Sequence, residues 1–426
     1  MLDINAIRSN PEAIQAKLAK KGCNVDFSDF LKLDAERRQL LQEVEALKAR
    51  RNKVSSEIPA LKKAGQDVSA VLDEMKATSD KIKEMDDQVK VVDQRIFDFV
   101  SYLPNLPADD VVAGGKENNQ LVHEWGSKPS FDFPLKDHVE LAKDLGLIDY
   151  ERGAKLSGNG FWMYRGNGAK LEWALLNYFI ETHINDGYEF ILPPHMLGAR
   201  CGFTAGQFPK FADEVYYIGE RTGDDSDKFM LPTAETALIN MYRDEVLEEA
   251  QLPQKLFAYT PCFRKEAGSY RSDERGMIRG HQFDKVEMFQ YTTPETSEDA
   301  LQELVSKAEA LLQGLGLHYQ LSKLAAEDCS ASMMKTYDIE VWIPSMGIYK
   351  EVSSCSNAGD YQARRGNIRF KRKATGKNEF IHSLNGSGLA TSRVIPALLE
   401  QHQQADGSVV IPEVLRKWMG CDVLRP

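Results

Sequence analysis

Apolar residues recur on alternating three- and four-residue steps over the first quarter of the chain. Leu33, Leu40, Val44, Leu47, Val54, Ile58 and Leu61 form one run, with Arg37 and Arg51 in its two gaps. Val68, Val71, Met75, Ile82, Met85, Val89, Val92, Ile96, Phe99 and Leu103 form a second, with Thr78 its one polar member. Apolar residues at this spacing are the a and d positions of heptads, which line one seam of a helix. The break between the runs is Ala64-Gly65-Gln66-Asp67. So short a break predicts a tight turn and a long antiparallel coiled-coil hairpin. At about 1.5 Å per residue, thirty-odd residues extend roughly 50 Å. Pro59 lies just before the turn, and its missing N–H predicts a kink or an end to the first helix there. Ahead of the hairpin, Ile4 to Leu18 reads as a short helical segment.

The heptads stop at Leu103. Pro104, Pro107, Gly114 and Gly115 then mark a linker, which places a domain boundary near residue 110, between domains 1–110 and 111–426. Past it the period changes. Lys170 to Asn185 is an amphipathic helix, and Gly187 to Pro194 (GYEFILPP) a strand. Phe229 to Glu235 is predicted as a short strand delivering Thr233 and Glu235 to one face, with a helix from Ala237. Glu298 to Gly314 is a helix, and Tyr337 to Ser354 a hairpin turning at Pro344 to Gly347. His382 to Leu398 reads as a strand, a Gly-Ser-Gly bend and a helix carrying Arg393. Strands joined by hairpins, with helices between, predict an α+β domain with an antiparallel sheet flanked by helices.

The chemistry concentrates between Thr260 and Tyr291. A strand ends at Cys262-Phe263-Arg264-Lys265-Glu266, a charged loop follows, and a second strand runs from His281. Strand side chains repeat every two residues, so Arg264 and Glu266 share a face, and so do Phe283 and Glu287. An arginine, two carboxylates and an aromatic ring on adjacent strands suit a ligand carrying a phosphate, an amine and a flat base. A charged hairpin on a solvated sheet face is the alternative.

Composition narrows the field. The 426 residues allow two or three domains. No apolar run is long enough to span a bilayer, and no signal-peptide pattern is present, so no membrane partner is expected. The six cysteines contain no C-x-x-C pair, which predicts free thiols in the cytoplasm and no structural zinc. A net charge of −11 does not point to nucleic acid, so any such contact must be local. The first heptad helix is basic and the second acidic. Mutual pairing accounts for most of those charges, and Arg50, Arg51 and Lys53 are the best candidates for phosphate contacts. Neither a P-loop nor a strand-linked Gly-x-Gly-x-x-Gly is present.

Phe263–Glu266 (FRKE) resembles motif 2 of class II aminoacyl-tRNA synthetases, GYEFILPP resembles motif 1, and NGSGLATSR, ending at Arg393, resembles motif 3. With LPTAE, HQFDKVE, EVSSCSN and QARR in order, and the heptad hairpin ahead of them, the whole chain resembles a bacterial-type seryl-tRNA synthetase. The resemblance implies a ligase that activates L-serine with ATP and passes the seryl group to the 3′ end of tRNA(Ser). A tRNA(Sec) with a similar long arm is a second candidate acceptor. By the same resemblance Arg264 contacts the α-phosphate and the serine carboxylate, Glu266 the adenine amino group, and Phe283 stacks on the base. Lys265, Val352 and Ser353 flank the ATP. Thr233, Ala234, Glu235 and Glu287 form the serine pocket, with Asn385 and Ser387 at its far side. Glu351 and Ser354 hold Mg²⁺ on the phosphates, and Arg393 meets the γ-phosphate. The hairpin is the tRNA-binding arm, and motif 1 makes a homodimer interface.

Three positions depart from the family pattern. Ser392 stands for a glycine, Arg271-Ser272 for a Gly-Arg, and Thr236 for a valine. Two other classes compete: a non-catalytic RNA-binding paralogue, which would lack some of Arg264, Glu266, Glu351 and Arg393, and a ligase charging a carrier protein, which would lack the arm.

Overall fold

A computed structural model describes residues 1–266 and 276–426. The chain divides into two compact units. One holds Leu2–Ala19 and Cys23–Leu103; the other holds Met1, Lys20–Gly22 and Pro104–Pro426.

The first unit is helical. Two short helices, Ile4–Ser9 and Pro11–Ala19, precede α1 (Ser28–Lys63) and α2 (Ser69–Ser101). α1 and α2 pack along the heptad seam, where Val44, Ile82 and Met85 are buried with Leu40 and Leu47 against them. α1 continues through Pro59 to Lys63, one turn beyond the expected stop. The cross-helix charges pair as the opposite-sign pattern requires: Arg37 with Asp93, Lys48 with Asp86 at 3.1 Å, and Arg50 with Glu74. At the base of the hairpin the Phe30 and Phe99 rings stack at 5.7 Å. There the buried Asp34 accepts two 2.6 Å hydrogen bonds from Arg8.

The second unit is built on an eight-stranded sheet. Its strands are β1 (Gln120–Trp125), β2 (Glu189–Ile191), β3 (Gln254–Phe263), β4 (Gln282–Thr292), β5 (Tyr319–Lys323), β6 (Lys335–Ile343), β7 (Ile348–Gly359) and β8 (His382–Ala390). Their spatial order is β1-β5-β6-β7-β8-β4-β3-β2. All pairings are antiparallel except β2 on β3. The flanking helices are α3 (Asn167–Asn185), α4 (Ser297–Gly314) and α5 (Thr391–Gln401).

The two faces of this sheet have different work. On one, Val286, Met288, Ile339, Val341, Cys355 and Leu384 join Leu301, Leu304, Ala308 and Leu311 of α4 in the main core. Burial of apolar area there, at roughly 25 cal/mol per Å², dominates the stability of the domain. Alternation then sends Phe283, Lys285, Glu287, Asn385 and Ser387 to the other face. The register sets Glu287 opposite Ser387.

Two local expectations change. The strand before Thr233 is only Lys228–Met230, because Pro232 has no N–H to give a ladder. Thr233 therefore lies in a turn, and Glu235 begins a short helix, Glu235–Leu238. β8 also runs through Gly386-Ser387-Gly388 without ending, and it carries one extra residue opposite the step from Lys285 to Glu287 on β4.

Candidate active site

The polar face opens as a cleft whose lining includes Arg264, Glu266, Phe283, Glu351, Val352, Ser387 and Arg393. At one end the Arg264 guanidinium lies 5.2 Å from the centre of the Phe283 ring. The backbone on both sides pins it. Arg264 N–H donates to His281 O at 2.9 Å, and Arg264 Nε donates to Pro232 O at 3.3 Å. Glu266 is held by Arg279, whose Nε donates to its Oε2 at 2.6 Å. At the far end Arg393 donates to the carbonyl of Glu351 at 2.8 Å and to that of Ile278 at 3.2 Å. Two guanidiniums thus project into one cleft with an aromatic ring beside the first, the arrangement a nucleotide polyphosphate needs.

Next to Arg264 lies a second, deeper group. Glu287 is buried, takes an ion pair from Lys285 and accepts from Ser387 Oγ at 3.3 Å. Lys285 Nζ also donates to Thr233 Oγ1 at 2.8 Å. Glu235 accepts from Gln362 Nε2 at 2.6 Å, and Gln362 is itself fixed by Ser383 Oγ at 2.7 Å. Burial, and after it the charge of Glu287, push the Glu235 carboxyl up to about 7. Asn385 is buried on the same face, and its Nδ2 has no partner among the described residues. Two carboxylates, one hydroxyl and an orphan donor suit a small ligand with an ammonium and a hydroxyl.

A third group consists of oxygens. Glu351 and Ser354 are three apart, which in a regular strand would send them to opposite faces. A register shift on β6–β7 pairs Ser353 with Ile339 and Glu351 with Glu340, leaving Val352 as the extra residue. The bulge returns Glu351 to the face of Ser354. Ser354 Oγ donates to Asp338 Oδ1 at 2.6 Å. Burial, then the charge of Glu351, hold the Asp338 carboxyl well above the usual carboxylate range. Glu351 is also ion-paired with Arg393 at 3.5 Å, and the oxygen-only donors fit a hard divalent cation.

The remaining expected residues are placed differently. Lys265 is exposed, and its N–H is tied to Glu214 O at 3.0 Å. Ala234 is buried with Ala258 and Phe289 in a side core. Ser353 pairs with Ile339, and its Oγ donates to the carbonyl of Ser387 at 2.6 Å. Of the departures, Ser392 lines the cleft, Thr236 donates to Gln207 Oε1 at 3.1 Å, and Arg271-Ser272 lies outside the described residues. Sequence reasoning missed Asp338, Arg279, Gln362 and Lys285. Lys285 alone carried a signal, sharing the alternation of Phe283 and Glu287.

On the arm, Arg50 is occupied by Glu74, whereas Lys53 is exposed.

Comparison with known proteins agrees with this geometry. The family model described as "Seryl-tRNA synthetase N-terminal domain" matches residues 1–107, and "tRNA synthetase class II core domain (G, H, P, S and T)" matches residues 217–402. The chain is 61% identical over 425 residues to a protein of Clostridium acetobutylicum named serine–tRNA ligase 2, with 100% of each chain covered. It is 49% identical to the serine–tRNA ligase of Heliobacterium modesticaldum, again with 100% of each covered. A crystal structure of seryl-tRNA synthetase from Pyrococcus horikoshii complexed with ATP superposes with a TM-score of 0.91 at 33% identity, covering 100% of both chains. Motifs, fold and full-length similarity converge: the chain belongs to the seryl-tRNA synthetase family of class II aminoacyl-tRNA synthetases.

Proposed function

We propose that the chain is a serine–tRNA ligase whose polar sheet face activates L-serine with ATP and then passes the seryl group to tRNA. The observation that carries this reading is the adjoining of two sites. A group of buried Thr233, Glu287 and Asn385 with half-buried Glu235 lies beside Arg264 and the nucleotide cleft.

In this reading the serine ammonium takes Glu287, Glu235 and Thr233, and the orphan Asn385 amide meets the side-chain hydroxyl. Phe283 and Glu266 receive the base. The serine carboxylate attacks the α-phosphorus, the bond to the β-phosphate breaks, and pyrophosphate leaves with the electron pair. Arg264 holds the attacking carboxylate and the α-phosphate together, and its charge stabilises the phosphoryl oxygens as negative charge grows on them. Arg393 holds the departing end. Glu351 and Ser354, with Asp338 behind them, would hold Mg²⁺. When bound, the cation would neutralise phosphate oxygens that the two arginines do not reach.

The terminal adenosine hydroxyl of tRNA(Ser) then takes the seryl group from the adenylate. The α1–α2 arm would grip a long variable arm through backbone contacts. The motif 1 segment is the interface with a second copy of the chain. Leu192 is 70% exposed there, next to the edge strand β2, and Trp173 and Ile184 of α3 are also exposed. Among the described residues no helix is long and apolar enough to cross a membrane.

The test is ATP–pyrophosphate exchange with each of the twenty amino acids, without tRNA, on wild type and Arg264→Ala. Exchange with serine alone, abolished in the variant, is the expected result. No exchange from folded protein would favour the RNA-binding paralogue.

A further inference from the structure

Lys285 occupies the place that the proposed function gives to the substrate. Its ammonium donates to Thr233 Oγ1 at 2.8 Å and is ion-paired with Glu287. These are two of the groups assigned to the serine ammonium. The pair is almost closed off from solvent, at 7% and 2% side-chain exposure. Yet Lys285 also lines the nucleotide cleft, together with Arg264, Phe283 and Arg393. One side chain therefore borders both sites.

A lysine head and an α-amino group are both primary ammoniums with three donors and no acceptor. They cannot share one hydroxyl and one carboxylate at hydrogen-bond distance without strong repulsion. The strand fixes the Lys285 Cα, but four rotatable bonds let its head travel. Before ATP binds, the cleft presents Arg264, Arg279 and Arg393 against two carboxylates, Glu266 and Glu351, and this excess of positive charge disfavours a further cation. Glu287 is then the better partner. After ATP binds, the cleft carries phosphate oxygens and the balance reverses.

We propose that Lys285 is a third cation of the reaction, exchanged between the two sites by substrate. It neutralises the buried Glu287 while the amino-acid pocket is free. When the serine ammonium takes Thr233 and Glu287, Lys285 turns into the cleft and meets the serine carboxylate and the α-phosphate. There it stabilises charge as the new carboxylate–phosphorus bond forms and the bond to pyrophosphate breaks. No proton moves. The device ties activation to an ammonium: an acid lacking one leaves Lys285 on Glu287 and is not activated. The proposal rests on the assignment of the serine pocket to Thr233, Glu235 and Glu287.

The test compares wild type, Lys285→Met and Lys285→Arg, with serine affinity measured by calorimetry and turnover by exchange. Lys285→Met is expected to bind serine at least as tightly as wild type, because a competitor is gone. Its kcat should fall about a hundredfold, the scale for losing one fixed charge-stabilising donor, and Lys285→Arg should recover part of it. Equal losses of affinity and kcat, or a kcat within about twofold of wild type, would overturn the proposal. A second readout uses the unaltered protein: acetic anhydride labelling of Lys285, followed by mass spectrometry. Labelling should rise when serine is added alone and fall again with ATP; labelling indifferent to serine sinks the idea. Absence of serine-dependent exchange in wild type would instead remove the functional reading itself, and the two failures are separately visible.

Discussion

Glu351 and Ser354 stand three residues apart on β7 yet face the same side of the sheet, because Val352 is the extra residue of a bulge opposite β6. The bulge brings a carboxylate and a hydroxyl over Asp338, to which Ser354 is bonded at 2.6 Å. If these oxygens hold the cation, Glu351→Gln and Asp338→Asn each remove an anionic donor or its support. Each should raise the Mg²⁺ concentration for half-maximal exchange by about tenfold, within the range seen for lost ligands and their partners. A magnesium titration of the exchange rate reads this directly, and an unchanged midpoint in both variants would place the cation elsewhere.

Glu235 gives the pocket a pH response. Its carboxyl is pushed up to about 7 by burial and by Glu287, against the opposing pull of Gln362, Lys285 and Arg264. A raised acid contributes stability fully below its unfolded value, and that contribution is lost as pH rises through about 7. An ammonium ligand prefers the charged form. Serine affinity should therefore rise from pH 6 to pH 8 and then level off, with a proton released on binding below the midpoint. Calorimetry in buffers of different ionisation enthalpy detects the proton. Glu235→Gln should flatten the profile.

If the Asn385 amide meets the serine hydroxyl, it separates serine from alanine. Its Nδ2 is buried without a partner among the described residues, and a buried donor left unpaired costs about 1–3 kcal/mol. Asn385→Ala should weaken serine activation by about tenfold or more in kcat/KM and change alanine activation little. Parallel exchange assays with the two amino acids measure the ratio. A ratio equal to wild type would remove Asn385 from the hydroxyl contact.

The arm can be dissected by charge. Arg50 is paired with Glu74 across the hairpin, so reversing it alone also breaks an internal ion pair. The exchange Arg50→Glu with Glu74→Arg keeps the pair and moves the positive charge to α2. Together with Arg51→Glu and Lys53→Glu it should weaken tRNA binding about tenfold or more at low salt. Serine-dependent exchange should stay intact. Nitrocellulose filter binding and exchange assays, run side by side, measure the two effects separately, and a parallel fall in exchange would implicate the fold.

The edge of the sheet offers another accessible position. If the motif 1 segment joins two copies of the chain, Leu192→Asp, which places a charge on the exposed apolar segment beside β2, should shift sedimentation from dimer to monomer. Unaltered sedimentation would put the interface on another face.

The heptads predict both long helices, α2 to within two residues and α1 to within about a turn at each end, because a period repeated over many turns averages out local exceptions. Pro59 is one such exception: the packed seam carries the helix past it. The alternation on β4 is equally legible. What the sequence conceals depends on pairing between distant strands. Nothing in EVSSCSN announces that Val352 is extra, since a bulge is defined only by its partner strand. Asp338 is invisible for the same reason, and Gln362, although it opens the QARR motif, shows its contact with Glu235 only once the chain is folded. The strand expected through Thr233 gives way at Pro232, whose missing N–H is itself visible in the sequence and outweighs the apolar run before it. The motif 2 loop, with Gly268, Arg271, Asp273, Glu274 and Arg275, lies outside the described residues.

β4 carries folding and chemistry on alternate residues. Val286 and Met288 belong to the core with α4, while Lys285 and Glu287 pair on the polar face. Neighbours in sequence thus answer to separate demands. Exchanging a side chain on the polar face leaves the apolar layer behind it in place, although Lys285 and Glu287, a buried ion pair, must change together. A one-residue insertion in the same strand has the opposite character: it would swap the two sets at a stroke and end both functions together.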